Sequence, residues 1–106
     1  MPEPDAVFAA LADPTRRDIV RALAAGAERP SELAERLGLT RPTMSRHLRV
    51  LHEAALVEVS LDAEDHRVRR YALRREGFQG AQAFLAEVEA FWEDQLAAFQ
   101  AFVEQR

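Results

Sequence analysis

The chain of 106 residues contains no cysteine and no lysine. The missing cysteine excludes disulfides, a thiol nucleophile and thiolate metal sites. No run approaches the ~18 consecutive apolar residues of a membrane-spanning helix. Met1-Pro2-Glu3-Pro4-Asp5 is acidic and leads into no apolar stretch behind a cationic one. The expectation is a cytoplasmic protein without a secretory signal and without a membrane partner. Four Gly and five Pro are too few for a disordered or fibrous chain. Paired carboxylates, a Ser/His arrangement and a Gly-rich phosphate loop are all missing, so the sequence does not read as an enzyme. It carries no internal repeat.

What is present is arginine, unevenly spread. The net charge is −4, and a total of that sign speaks against nucleic acid. Yet residues 41–75 hold eight Arg against five acidic residues, while residues 1–40 sum to −2 and residues 76–106 to −5. A DNA-facing surface needs a local basic face rather than a basic total. A solvated surface of mixed charge has the same composition, so charge alone leaves both readings open.

Apolar spacing divides the chain into short helices, a hairpin and one long helix. Val7, Phe8 and Leu11 recur at helical spacing. Asp13 is suited to cap a second helix, with Pro14 at its first position, Ile19, Val20 and Leu23 inward and Gly26 at its end. Pro30 opens a third, with Leu33, Ala34 and Leu37 on one face and Gly38 at its close. Thr40 caps a fourth that runs to about Ala55 on a core stripe of Met44, Leu48 and Leu51. The period then shortens. Leu56–Leu61 and Val68–Leu73 read as strands around the polar segment Asp62-Ala63-Glu64-Asp65-His66-Arg67. After Glu76-Gly77 a helix of roughly 40 Å runs to about Glu104.

The third and fourth helices, joined through Gly38, predict a helix-turn-helix whose second member enters the major groove, with the hairpin as a wing. Small Ala34 allows close approach of the two helices, and Gly38 allows the left-handed exit of a tight turn. Opposite the stripe of the fourth helix lie Pro42, Ser45, Arg46 and Arg49, with Arg41 and Thr43 in the first turn, where side chains and N–H groups reach a phosphate. Arg46 is the best candidate for a bidentate guanine contact. In the hairpin, Arg67 is the candidate for the wing tip, and Arg69 and Arg70 for phosphate.

Taken together, Ala10-Leu-Ala-Asp-Pro-Thr-Arg-Arg-Asp-Ile19, Ser31-Glu-Leu-Ala34, Pro42-Thr-Met-Ser-Arg-His-Leu-Arg-Val-Leu51 and Leu56-Val57 resemble the ArsR family of winged-helix repressors over about residues 5–75. The last helix resembles that family's dimerisation helix in position and apolarity rather than by motif. The resemblance implies a mainly α fold with a small β-hairpin, in the order α-α-α-α-β-β-α, a homodimer and regulated release from double-stranded DNA. The family is best known for metal and metalloid sensors, with cysteines near the third helix or His and carboxylate ligands on the last. This chain departs from both patterns. It has no Cys, and no His beyond His66. His47 and His52 stand about 140° apart around a helix and cannot share a metal. No metal and no cofactor is therefore expected, and an effector ligand of unidentified chemistry is left open. The wing departs too, with an acidic segment of Asp62, Glu64 and Asp65. Its Asp65-His66-Arg67 spacing is similar to MarR wings, in which an Asp braces an Arg that enters the minor groove.

The expected organisation is one domain over residues 1–106, with helices at 5–25, the helix-turn-helix at 30–55, the wing at 56–74 and the dimerisation helix at 76–104. A domain this small buries a modest core. Leu85, Val88, Trp92, Leu96, Phe99 and Val103 step by three or four as a packing seam does, with Phe91 beside them. With Val7, Phe8 and Leu11 they form the expected dimer interface, and a two-fold pair would set two recognition helices into successive grooves. The function expected is a homodimeric repressor on an inverted-repeat operator. The alternative is a winged-helix module that binds a protein partner and no specific DNA.

Overall fold

A computed structural model describes residues 4–105. The elements run α1 (Pro4–Leu11), α2 (Pro14–Leu23), α3 (Pro30–Leu37), α4 (Arg41–Glu53), β1 (Val57–Leu61), β2 (Arg69–Leu73), a 3₁₀ turn (Arg75–Phe78) and α5 (Gln79–Glu104). The order and type of the expected elements hold. The first three residues of the expected organisation, and the last, lie outside the described residues.

Each helix begins where its sequence supplies a partner for the free N–H groups. Asp13 Oδ1 accepts from the N–H of Thr15 at 2.8 Å and of Arg16 at 3.2 Å. Thr40 Oγ1 accepts from the N–H of Thr43 at 3.3 Å. Gly38 closes α3 in the left-handed region (φ 68°), where Leu39 N–H reaches Ala34 O at 2.9 Å. Helix α2 ends earlier than expected, at Leu23 rather than Gly26, because Ala24 already caps it and a turn intervenes before Gly26. The core is the meeting of α1–α4 with the base of the hairpin: Val7, Ile19, Leu23, Leu33, Met44, Leu48, Leu51, Leu56 and Val57 are all buried.

The hairpin is antiparallel, with Val57 opposite Leu73, Val59 opposite Tyr71 and Leu61 opposite Arg69. A third piece of chain joins it, unforeseen in the sequence. Glu28 N–H donates to Tyr71 O at 2.9 Å and Tyr71 N–H to Glu28 O at 2.8 Å, so the α2–α3 link is stitched to the wing. At the far end of α4, Ala55 takes a positive φ of 62°, a rare conformation for a residue with a Cβ. It lets Leu56 N–H return to Leu51 O at 3.0 Å and turns the chain from α4 into β1.

Among the described residues, helix α5 is anchored to the body of the fold at its start. Gly80 and Ala81 are buried, and Phe8 of α1 meets Phe84 edge to face with ring centroids 5.8 Å apart. The rest projects away, which stretches the molecule to 70 × 27 × 22 Å.

Candidate nucleic-acid interface

Helix α4 sorts its side chains as the spacing requires. Met44, Leu48 and Leu51 are buried, whereas Arg41, Pro42, Ser45, Arg46 and Arg49 are exposed on the other side. Thr43 is half-buried; its hydroxyl accepts from Thr40 Oγ1 at 2.9 Å and from Arg46 Nη2 at 3.2 Å. The Arg46 guanidinium is thereby drawn back toward the start of the helix. His47 flanks the core and meets Arg16 Nη1 at 3.4 Å through Nδ1, so it sits in a structural contact behind the exposed face.

The wing is tied to the start of α3 by an ionic centre that the sequence does not signal. Asp62 was expected among the exposed acids of the hairpin loop. It is buried, 6% exposed. Its Oδ1 accepts from Arg70 Nε at 2.9 Å and its Oδ2 from Arg29 Nη2 at 3.4 Å. Arg70 hydrogen-bonds it and holds its carboxyl below the usual range against the opposing effect of burial, with Arg29 adding attraction. Arg70 is thus half-buried and tied to Asp62 through Nε, whereas Arg69 beside it is exposed. No local signal distinguishes Asp62 from Glu64 or Asp65, because its partners come from residues 29 and 70.

The depressed carboxyl fixes a pH dependence. A carboxyl lowered in the folded state contributes stability that is present above its unfolded pKa of about 3.9 and is lost as pH falls through the folded value. Asp62→Asn is therefore expected to melt lower than the parent at neutral pH. The difference should narrow as the pH is brought below about 4. Thermal melts of both proteins from pH 7 to pH 3 check this; a difference that widens on acidification would remove Asp62 from the account.

At the loop itself Asp65 braces Arg67. Arg67 Nε donates to Oδ1 at 3.1 Å and Nη2 to Oδ2 at 3.2 Å, and the Arg67 N–H also reaches Oδ1. These bonds hold the Asp65 carboxyl low. The Arg67 side chain is 90% exposed, a cation carried on a fixed stem at the extremity of the wing. Arg69 is exposed on β2.

The remaining expected residues divide. Leu85, Val88, Phe91, Trp92, Leu96, Phe99 and Val103 are all exposed along α5, as are Phe84 and Phe102. Trp92, Leu96 and Phe99 each leave more than half of their surface in solvent, at 61%, 66% and 67%. These side chains span an arc of about 140° around the helix, wider than a narrow seam. Val7 does not belong with them. It is wholly enclosed in the protein's own core, and of its group only Phe8 and, in part, Leu11 keep accessible surface.

Comparison with known proteins agrees with this geometry. A family model described as a helix-turn-helix domain matches residues 11–60. The chain is 37% identical over 101 residues to the HTH-type transcriptional regulator Rv2034 of Mycobacterium tuberculosis, covering 95% of this chain and 89% of the relative. It is 36% identical over 61 residues to the transcriptional repressor SdpR of Bacillus subtilis, covering 58% of this chain and 61% of that protein. A crystal structure of an ArsR family transcriptional regulator superposes with a TM-score of 0.73 at 34% identity, over 84% of this chain and 89% of the other. An exposed arginine-bearing second helix, a hairpin pinned beside it and this degree of likeness have one common reading: the chain belongs to the ArsR family of winged helix-turn-helix proteins and is a DNA-binding transcriptional regulator.

Proposed function

We propose that the protein is a homodimeric repressor that binds an inverted-repeat operator in the cytoplasm, as one unit over its whole length. The observation that carries the reading is the exposed face of α4, with Arg41, Arg46 and Arg49 on one side of a helix whose other side is locked into the core. A helix held that way presents the same side chains to the groove on every encounter. Arg46 reads a base edge, since its planar fork matches the two acceptors of guanine. Arg41, Pro42, Thr43, Ser45 and Arg49 set the helix against the neighbouring phosphates and base edges. Arg67 reaches the minor groove from the wing and Arg69 meets the backbone. Arg70 serves by holding the wing in place through Asp62. The relative named as a repressor supports repression as the sense of control.

Arg46→Ala is expected to weaken specific binding by about 1–3 kcal/mol and to relax one base position in each half-site. Affinities for operator and unrelated DNA at one salt concentration check it; an equal loss on both would reassign Arg46 to phosphate. The region immediately upstream of the protein's own coding sequence is the first DNA to test.

The reading also assigns no metal. Cysteine is missing, and among the described residues no three His, Asp or Glu side chains converge into a metal cluster. EDTA is expected to leave the melting temperature and operator affinity unchanged. A stoichiometric, tightly held transition metal in the purified protein would overturn this.

A further inference from the structure

Two adjoining cavities lie between the start of α3, the length of α4 and the wing, and they share Arg41, Ser45, Arg49 and Arg69 with the face proposed to meet DNA. One, of about 220 Å³, is walled by Arg29, Arg41 and Arg69 with Ser31 and Ser45 at its edge. The other, of about 340 Å³, is walled by Arg49, Arg69 and His52. Pro30, Ser45 and Arg69 are common to both, so they form one groove. Its accessible apolar surface comes from Val68 at one end and from Val59 and Tyr71 at the other, above the buried Met44 and Leu48. No carboxylate is among the residues lining either cavity.

The geometry points to a binding site for a small organic anion, a carboxylate or phosphate carried on an apolar or aromatic body. Ligand sites combine apolar surface with a few placed polar groups; here the smaller cavity is the more apolar and the larger the more polar, so the groove offers both to one ligand. A DNA phosphodiester needs the cations but has no use for the apolar surface, whereas an amphipathic anion uses both. Arg69 and Arg49 are the residues that fix the anionic end. Arg29 contributes less charge, because Asp62 and Glu32 already face it. The larger cavity is within the size range of small-ligand sites, at its lower end.

The position of the groove gives the ligand a consequence. It lies between the two elements proposed to grip DNA and engages two of the arginines proposed to contact it. An anion seated there competes with the operator. That consequence rests on the reading of the protein as a DNA-gripping repressor, while the site itself does not.

Benzoate is the probe, with benzamide as its uncharged counterpart and sodium chloride at matched ionic strength as the screen for simple salt effects. In NMR titrations of the full chain without DNA, benzoate is expected to shift Val59, Tyr71 and Arg69, and benzamide to leave them in place. Val59→Phe fills the larger cavity and Arg69→Gln removes the shared cation; each is expected to reduce benzoate affinity at least tenfold. In gel shifts with the upstream DNA, benzoate at ten times its dissociation constant should weaken binding roughly tenfold, as simple competition requires. Val59→Phe should bind that DNA normally and ignore benzoate. Benzoate shifts absent or equalled by benzamide would overturn the site, as would a folded Val59→Phe and Arg69→Gln that bind benzoate like the parent. A protein that binds benzoate as described but shifts no DNA in its absence would keep the site and overturn the repressor reading.

Discussion

Trp92→Asp is expected to turn the protein into a monomer and to weaken its binding to a two-half-site operator by roughly 10²–10⁴-fold, with every DNA-facing residue intact. The cause is the exposed stripe of α5. Trp92, Leu96 and Phe99 lie well beyond the part of the helix that Phe8 and the core cover, and more than half of each stays in solvent even though Phe91 meets Trp92 edge to face at 6.1 Å. In the proposed dimer a second copy related by two-fold symmetry would bury the same stripe against itself. A carboxylate placed at the centre of that contact would be desolvated without a partner, which costs more than a marginal interface returns. Each monomer would then hold one half-site, and the gain from linking two binding events would vanish. The proposed dimer is expected to set its recognition helices about 34 Å apart, one turn of DNA. Sedimentation and gel shift on the same sample decide the matter. A folded variant that stays dimeric, or a monomer that keeps full operator affinity, would break the link between α5 and DNA recognition. In the monomeric protein itself, removing an exposed side chain should change the melting temperature little.

Gly77→Ala is expected to be the most damaging single methyl group in the fold. A Cβ on Gly77 would stand 1.9 Å from the carbonyl oxygen of Ala55 and 2.7 Å from its carbonyl carbon. Neither is the end of a flexible side chain. Ala55 is held at positive φ between α4 and β1, and Gly77 lies in the 3₁₀ turn that launches α5. Relief of the overlap must move the exit of the recognition helix or the root of α5. Overpacking of this sort costs about 1–3 kcal/mol, and more where backbone must shift. Each kcal/mol lowers the melting temperature of a domain this size by roughly 4–8 °C. Gly38→Ala is the control. Nothing lies within 4 Å of its would-be Cβ, so only the left-handed backbone is strained, at φ 68°. The strain amounts to about 1–2 kcal/mol. Thermal melts should rank Gly77→Ala below Gly38→Ala and both below the parent. The reverse order of the two variants would show that the turn at Gly77 has room to yield.

The ArsR-type architecture was legible because its signals are local. Asp13-Pro14, Thr40 and Gly38 mark helix ends through bonds made within a few residues, and the stripe Met44, Leu48, Leu51 follows from helical period alone. The same period exposes Arg46 and Arg49 once the stripe is buried. A change of period at Leu56 was enough to announce the hairpin, and the apolar residues recurring three or four apart from Leu85 to Val103 were enough to announce a helix needing cover. What tertiary structure alone decided depends on residues distant in sequence. Asp62 and Asp65 are alike as letters, yet one is buried between Arg29 and Arg70 and the other braces an exposed Arg67. Val7 and Phe8 are neighbours on one helix, yet the core encloses Val7 and leaves Phe8 to meet Phe84. Gly77 is a glycine because of Ala55, and Glu28 pairs with Tyr71 across more than forty residues. Periodicity tells which side of an element is apolar. Which other element arrives there, and which charge it brings, is set by packing the whole chain.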